Sequence, residues 1–238
     1  MNPIVAVPIL EGKVIETNMT TIERKTFVTK VFTCVQFQLL TLMYFIFSFK
    51  YYNLEYFFYT DYGRGLFGLS LFTSLFAMFS TSCCYDIFKS FPMNYILLVL
   101  FSCSSSYLIT NSIAFVDSNI LALATGITCV DVFGILLISL FADISSYYNY
   151  LYISLISLVS LSLINLFIFS TFLQMIISGF GSTLFSCLLL YDINQVTSSD
   201  NKIYFKEDFI IASINIYLDI LNIFLYILQC LELGETAN

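Results

Sequence analysis

The chain has no histidine and no tryptophan, and nine Lys or Arg with sixteen Asp or Glu make up only 11% of its 238 residues. A soluble domain usually carries about 25% charged residues. Without histidine there is no histidine metal site, no catalytic triad through His, and no ordinary switch near neutral pH. Any proton chemistry must therefore rest on carboxylates. The net charge of −7 argues against a nucleic-acid partner, which would require a basic patch. Seven cysteines, at 34, 83, 84, 103, 129, 187 and 230, form no CxxC pair and are odd in number. They read as small packing residues within apolar runs, not as an oxidised framework or a metal site. HExxH, a nucleophile–base pair and a glycine-rich phosphate loop are all missing, so no catalytic residue and no cofactor is expected.

What is abundant is apolar surface. Apolar and aromatic residues make up 59% of the chain, and the mean hydropathy is +0.89. One soluble core of this length cannot hide so much, because small domains bury only part of their surface. The expectation is an all-α integral membrane protein in a lipid bilayer. A spanning helix needs about 20 mainly apolar residues. Seven such runs are present: Val31 to Phe49, Gly65 to Cys84, Asn94 to Phe115, Asn119 to Ala142, Tyr150 to Phe169, Phe172 to Tyr191, and Phe209 to Leu231. Pro92 precedes the third run, where a helix tolerates it. The fifth and sixth runs are nearly continuous, and a single helix of that length would be about twice the hydrocarbon thickness. A tight hairpin near Ser170-Thr171 resolves this. The layout is then a polar tail over residues 1–30, a seven-helix domain over 31–231 and a short tail over 232–238. The first 30 residues scatter acids among their bases and do not resemble a signal peptide.

Orientation follows from Lys and Arg in short loops. With the N-terminus in the cytosol, Lys13, Arg24, Lys25, Lys30, Lys89, Lys202 and Lys206 face the cytosol, and only Lys50 and Arg64 lie opposite. A sequon at Asn18 would then face the cytosol unmodified. Seven full spans put Glu232 to Asn238 on the lumenal side; a re-entrant last run would return them to the cytosol.

Polar groups inside the spans are the informative ones, since an Asp at a helix centre costs about 2.5–3.5 kcal/mol on insertion scales. Asn215, Asp219 and Asn222 follow i, i+4, i+7 in the last run and fall within a stripe of about 60°. Asp208 begins that stripe and Tyr226 continues it. The amides serve as interhelical hydrogen-bond glue; the carboxylate is harder to bury without a purpose. Asp192 closes the sixth run in Tyr191-Asp192, where a negative charge opposes the helix dipole. If Asp192 and Asp219 meet, they titrate as a pair. Asp131 is a second mid-span acid with no evident partner, and Asp86 with Lys89 reads as a solvated loop end. Ser178, Gly179, Gly181 and Ser182 give the sixth helix a small face for close packing. The hydroxyls of Ser102, Ser104, Ser105 and Ser106 either line a water path or bond their own backbone.

These residues carry a resemblance. Gly179 to Phe185, Tyr191-Asp192, and the helix Ala212-Ser-Ile-Asn215-Ile-Tyr217-Leu-Asp219-Ile-Leu-Asn222-Ile-Phe224 resemble the transmembrane Bax inhibitor motif (lifeguard) family. Its Golgi anti-apoptotic branch, with cellular and poxviral members, is the most similar. Arg24 to Leu40 and Lys89 to Leu98 agree more weakly. The resemblance implies a seven-helix bundle with the C-terminal helix central. It implies a calcium leak path in a Golgi membrane (or endoplasmic reticulum) and resistance to apoptosis. By this resemblance Asp192 and Asp219 are paired gating carboxylates, and Glu207 and Asp208 form the acidic entry to the last helix. Calcium is then the permeant ion, and homo-oligomers or host family members are conceivable partners. Ser105 stands where the family often has an acid, and the C-terminal tail lacks the usual bases. A proton-coupled cation exchanger would use the same two aspartates. A non-conducting adaptor that binds host apoptosis regulators would need neither.

Overall fold

The structure, a computed structural model, describes residues 20–83, 92–142, 144, 147–198 and 204–236. Among them are seven α-helices and one short 3-10 helix, Leu54–Tyr59. The α-helices are α1 (Thr21–Tyr51), α2 (Asp61–Cys83), α3 (Met93–Ser112), α4 (Ser118–Ile138), α5 (Tyr148–Ile168), α6 (Thr171–Thr197) and α7 (Phe209–Thr236). All except α2 are long and apolar enough within the described residues to cross a membrane. The chain is a multi-pass, all-helical membrane protein. Asn18, Asp86, Lys89, Lys202 and the acids and base of residues 11–16 lie outside the described residues.

α1 begins ten residues before its apolar run. Thr20 and Glu23 form a capping box: the Glu23 amide donates to Thr20 Oγ1 (3.3 Å) and the Thr20 amide to Glu23 Oε2 (3.0 Å). Reciprocal capping satisfies two orphan amides and lets a polar turn start the helix. Much of residues 20–30, read from sequence as tail, is therefore helical. The hairpin near Ser170 is present without Gly or Pro. Phe169 takes the left-handed conformation (φ 52°), and Ser170 caps α6 by accepting from the Leu173 amide (3.3 Å). Asn165 Oδ1 accepts the Ser170 amide (3.1 Å), which offsets the strained turn.

α7 packs against α6, α1, α4 and α3. It is one unbroken helix, and Ile210, Ala212, Ser213, Tyr217 and Ile223 are wholly buried. α5 lies at the other extreme, with only Leu158 buried along its length. Its apolar side chains point outward, which lipid tolerates and water would not. The directions follow from the contacts. α1 and α7 run parallel, since Lys30 Nζ sits 5.1 Å from the Phe209 ring centre and Cys34, one turn on, lies near Ser213. α6 and α7 are antiparallel: Gly181 and Phe185 meet Tyr226, and Asp192 lies within electrostatic reach of Asp219. A Cβ at Gly181 would sit 2.8 Å from the Tyr226 ring, so only glycine permits this approach.

A second cluster closes the end of the molecule that holds the α1–α2 and α3–α4 connections. Phe49 stacks on Phe58 there, Tyr107 meets both rings edge-on, and Tyr107 Oη donates to the Gly63 carbonyl (3.1 Å).

Candidate functional site

The site builds upward from the turn that enters α7. Asp208 is buried and occupies the N-cap position: its Oδ2 accepts the Phe205 amide (2.8 Å) and its carbonyl accepts the Ala212 amide (3.0 Å). Its other oxygen, Oδ1, is buried without a partner. An acid there is favourable against the helix dipole. Glu207 beside it is exposed and borders a shallow cavity of about 320 Å³ shared with Glu23, Lys30 and Lys206.

Inside this entry stands Tyr204, which sequence reasoning did not single out. Its hydroxyl accepts from Asn215 Nδ2 (3.2 Å), and its ring lies against Phe27. Burial pushes this phenol well above the ordinary tyrosine range, and the Asp192 carboxylate nearby adds to the effect. Tyr204 thus stays a neutral hydroxyl between Asn215 and the acids.

Asp219 lies one turn beyond Asn215 on the same stripe. It is buried, its Oδ2 has no hydrogen-bond partner, and Asp192 of α6 is within electrostatic reach. Neither acid belongs to an ion pair among the described residues. Asp219 is thus a buried carboxylate with a second, part-buried carboxylate within electrostatic reach and no ion-pair partner among the described residues. Such a pair can share a proton or hold a cation between its oxygens, and each event changes the local charge.

The remaining expectations divide. Asn222 continues the stripe but donates to the Leu218 carbonyl of its own helix (2.9 Å), and no interhelical bond from it is present among the described residues. Asp131 does have a partner: Ser186 Oγ of α6 donates to its Oδ2 (2.7 Å). No sequence signal marked this pair, because it depends on the α4–α6 register. The α3 hydroxyls of Ser102, Ser104 and Thr110 bond their own backbone one turn back, and Ser105 also meets the Tyr217 hydroxyl at 3.3 Å. One further buried polar residue, Gln38, was overlooked, and Lys50 was read only as a loop charge. Gln38 was findable, since it is one of only two amides inside the first apolar run, Gln36 being the other.

The fold and the site define a class: a multi-pass helical membrane protein with a buried aspartate on its last helix and a part-buried aspartate of α6 within electrostatic reach of it. A family model described as "Inhibitor of apoptosis-promoting Bax1" matches residues 24–236, and the chain belongs to this Bax inhibitor family. Bax inhibitor 1 of Schizosaccharomyces pombe is 35% identical over 153 residues, covering 63% of this chain and 56% of that protein. The Golgi anti-apoptotic protein of vaccinia virus (strain Lister) is 28% identical over 146 residues, 60% of each chain. An uncharacterized protein of Helicobacter pylori (strain 26695) is 37% identical over 111 residues, 44% of this chain and 45% of its own. The matched stretch spans less than two thirds of each of these relatives.

Proposed function

We propose that this protein is an anti-apoptotic cation leak channel of an internal membrane, with calcium as the permeant ion. In this reading all seven helices span, α7 is the central one, and the N-terminus is cytosolic. A Golgi location follows the name of the vaccinia relative. The observation that carries the reading is the partnerless Asp219 oxygen, buried beside a second carboxylate. A group that costly persists where it has work to do, and intramembrane acids mark ion and proton paths.

Each residue then has a role. Glu207, exposed at the entry, draws cations toward the bundle. Asp208 holds the turn that opens α7, and Tyr204 with Asn215 holds the corridor to the acids. When Asp192 and Asp219 are both charged, they attract the cation. When they share a proton, the attraction weakens and the path closes. Asn222 keeps the stripe polar beyond Asp219.

The test is calcium flux in proteoliposomes containing the full chain. Flux is expected to fall as the pH is lowered, and Asp219→Asn should abolish it while the protein remains folded. Undiminished flux in that variant overturns the mechanism. The proton-coupled exchanger, drawn from the same pair, is distinguished by cation movement under an imposed pH gradient with no cation gradient. Full protection of cells by a non-conducting Asp219→Asn protein would favour the adaptor.

A further inference from the structure

Gln38 is wholly buried in α1, and neither its Oε1 nor its Nε2 has a hydrogen-bond partner. A buried amide left dry is expensive, because its lost hydrogen bonds to water are not replaced. Two registers place it. On α1 and α7, Lys30 Nζ lies 5.1 Å from the Phe209 ring centre; eight residues further along each parallel helix stand Gln38 and Tyr217, about two turns on. On α1 and α3, Lys50 reaches the Ala114 and Val116 carbonyls across sequence separations of 64 and 66, which sets Gln38 near the level of Ser102 to Ser104. Both registers bring the amide to the α3 hydroxyls. There the Tyr217 hydroxyl meets Ser105 Oγ at 3.3 Å and lies beside Ser106. Ser106 is wholly buried, and its Oγ has no partner of good hydrogen-bond geometry.

The chemistry of the amide selects the ligand. A cation would engage Oε1 and leave the two Nε2 protons orphaned. Water accepts from Nε2 and donates to Oε1, and it binds where two to four polar groups converge. We propose that Gln38, Ser106 and Tyr217 hold buried water in the seam between α1, α3 and α7, and that this water is the mid-membrane step of the leak path. The second half rests on the leak reading; the hydration site does not. The stripe continues from Ser102 and Ser106 to Thr110, one turn on, which lines the small cavity at Lys50 and Glu55. It thus joins the level of the acids to the opposite end.

X-ray radiolytic labelling of the full chain in nanodiscs tests the water, because radicals form at bound water and mark the side chains beside it. Tyr217, though buried, is expected to be labelled, at least about fivefold more slowly in Gln38→Leu, where the site loses its main partner. Ser106→Ala should slow it in the same direction, and serves if Gln38→Leu fails to fold. An unlabelled Tyr217, or equal rates in wild type and variants, overturns the hydration site. In proteoliposomes both variants should lower calcium flux by at least about fivefold, as loss of a bridging water would. Slowed labelling with unchanged flux overturns the mid-path role. Absence of flux from the wild-type protein is the failure of the leak reading alone, and the labelling result still decides the water.

Discussion

The two ends of the bundle treat charge in opposite ways. At the end that holds the α1–α2 connection, Lys50 Nζ donates to Glu55 Oε1 (3.1 Å) and to the carbonyls of Ala114 (2.7 Å) and Val116 (3.0 Å). An ammonium has three protons, and all three are used. The carbonyls lie just past the C-terminus of α3, where a cation suits the helix dipole. At the α6–α7 end, the acids outnumber their partners: Asp219 Oδ2 and Asp208 Oδ1 are buried and unbonded. A satisfied polar network stabilises a fold. An unsatisfied one weakens it, and persists where function requires it. On the proposed reading, the contrast assigns structure to one end and the ion path to the other.

Lys50→Met tests the satisfied end and should have the largest effect on stability. Methionine keeps the length but leaves the carbonyls of buried Ala114 and Val116 without their donor, at a cost of about 1–3 kcal/mol. A thermal-shift measurement in detergent should show a clear fall in Tm. No fall would mean that the network is ornamental and that the contrast between the ends is wrong.

Gly181→Ala comes next. It tests the packing that holds α6 against α7, and hence the distance between Asp192 and Asp219. The new methyl would press on the Tyr226 ring, which has to shift. Overpacking of this kind costs about 1–3 kcal/mol, with the lower part of that range expected for a ring that can slide. Flux should fall with stability. Tyr226→Leu introduced together with Gly181→Ala should restore both, because the ring that clashes is gone.

Asp219→Asn should sharpen the contrast by moving stability the other way. An amide removes the buried charge while keeping the shape, so the variant should be as stable as wild type or more stable by about 1 kcal/mol. Lys50→Met would thus lose stability, and Asp219→Asn would lose flux alone. A marked drop in Tm for Asp219→Asn would show that the carboxylate is a structural anchor after all.

Much of this was legible in the residues themselves, for physical reasons. Apolar runs announce helices in a membrane, because backbone polar groups in lipid must be satisfied within the segment. Asp219 stood out because a carboxylate within such a run is costly wherever the run is placed. The early start of α1 was written in Thr20 and Glu23, a Thr-x-x-Glu pair that length-based reading of the apolar run passes over. Partnerships between helices were not legible. Asn222 shares a stripe with Asp219 and differs only in turning back to its own Leu218 carbonyl. Lys50 looked like a loop charge until the end of α3 folded over it.

Asp131 is the smallest and sharpest test, since it is also an intramembrane acid but belongs with the satisfied groups. Its Oδ2 accepts from Ser186 Oγ at 2.7 Å, and it is half-exposed. If an unpartnered oxygen marks function, the acid with a partner should be dispensable. In Asp131→Asn the amide oxygen can still accept from Ser186, so the loss should be about 0.5 kcal/mol or less, within the range of ordinary surface changes. Calcium flux and its dependence on pH should match wild type. A flux loss as large as that of Asp219→Asn would place Asp131 on the path. Partner satisfaction would then no longer separate structural acids from working ones in this bundle.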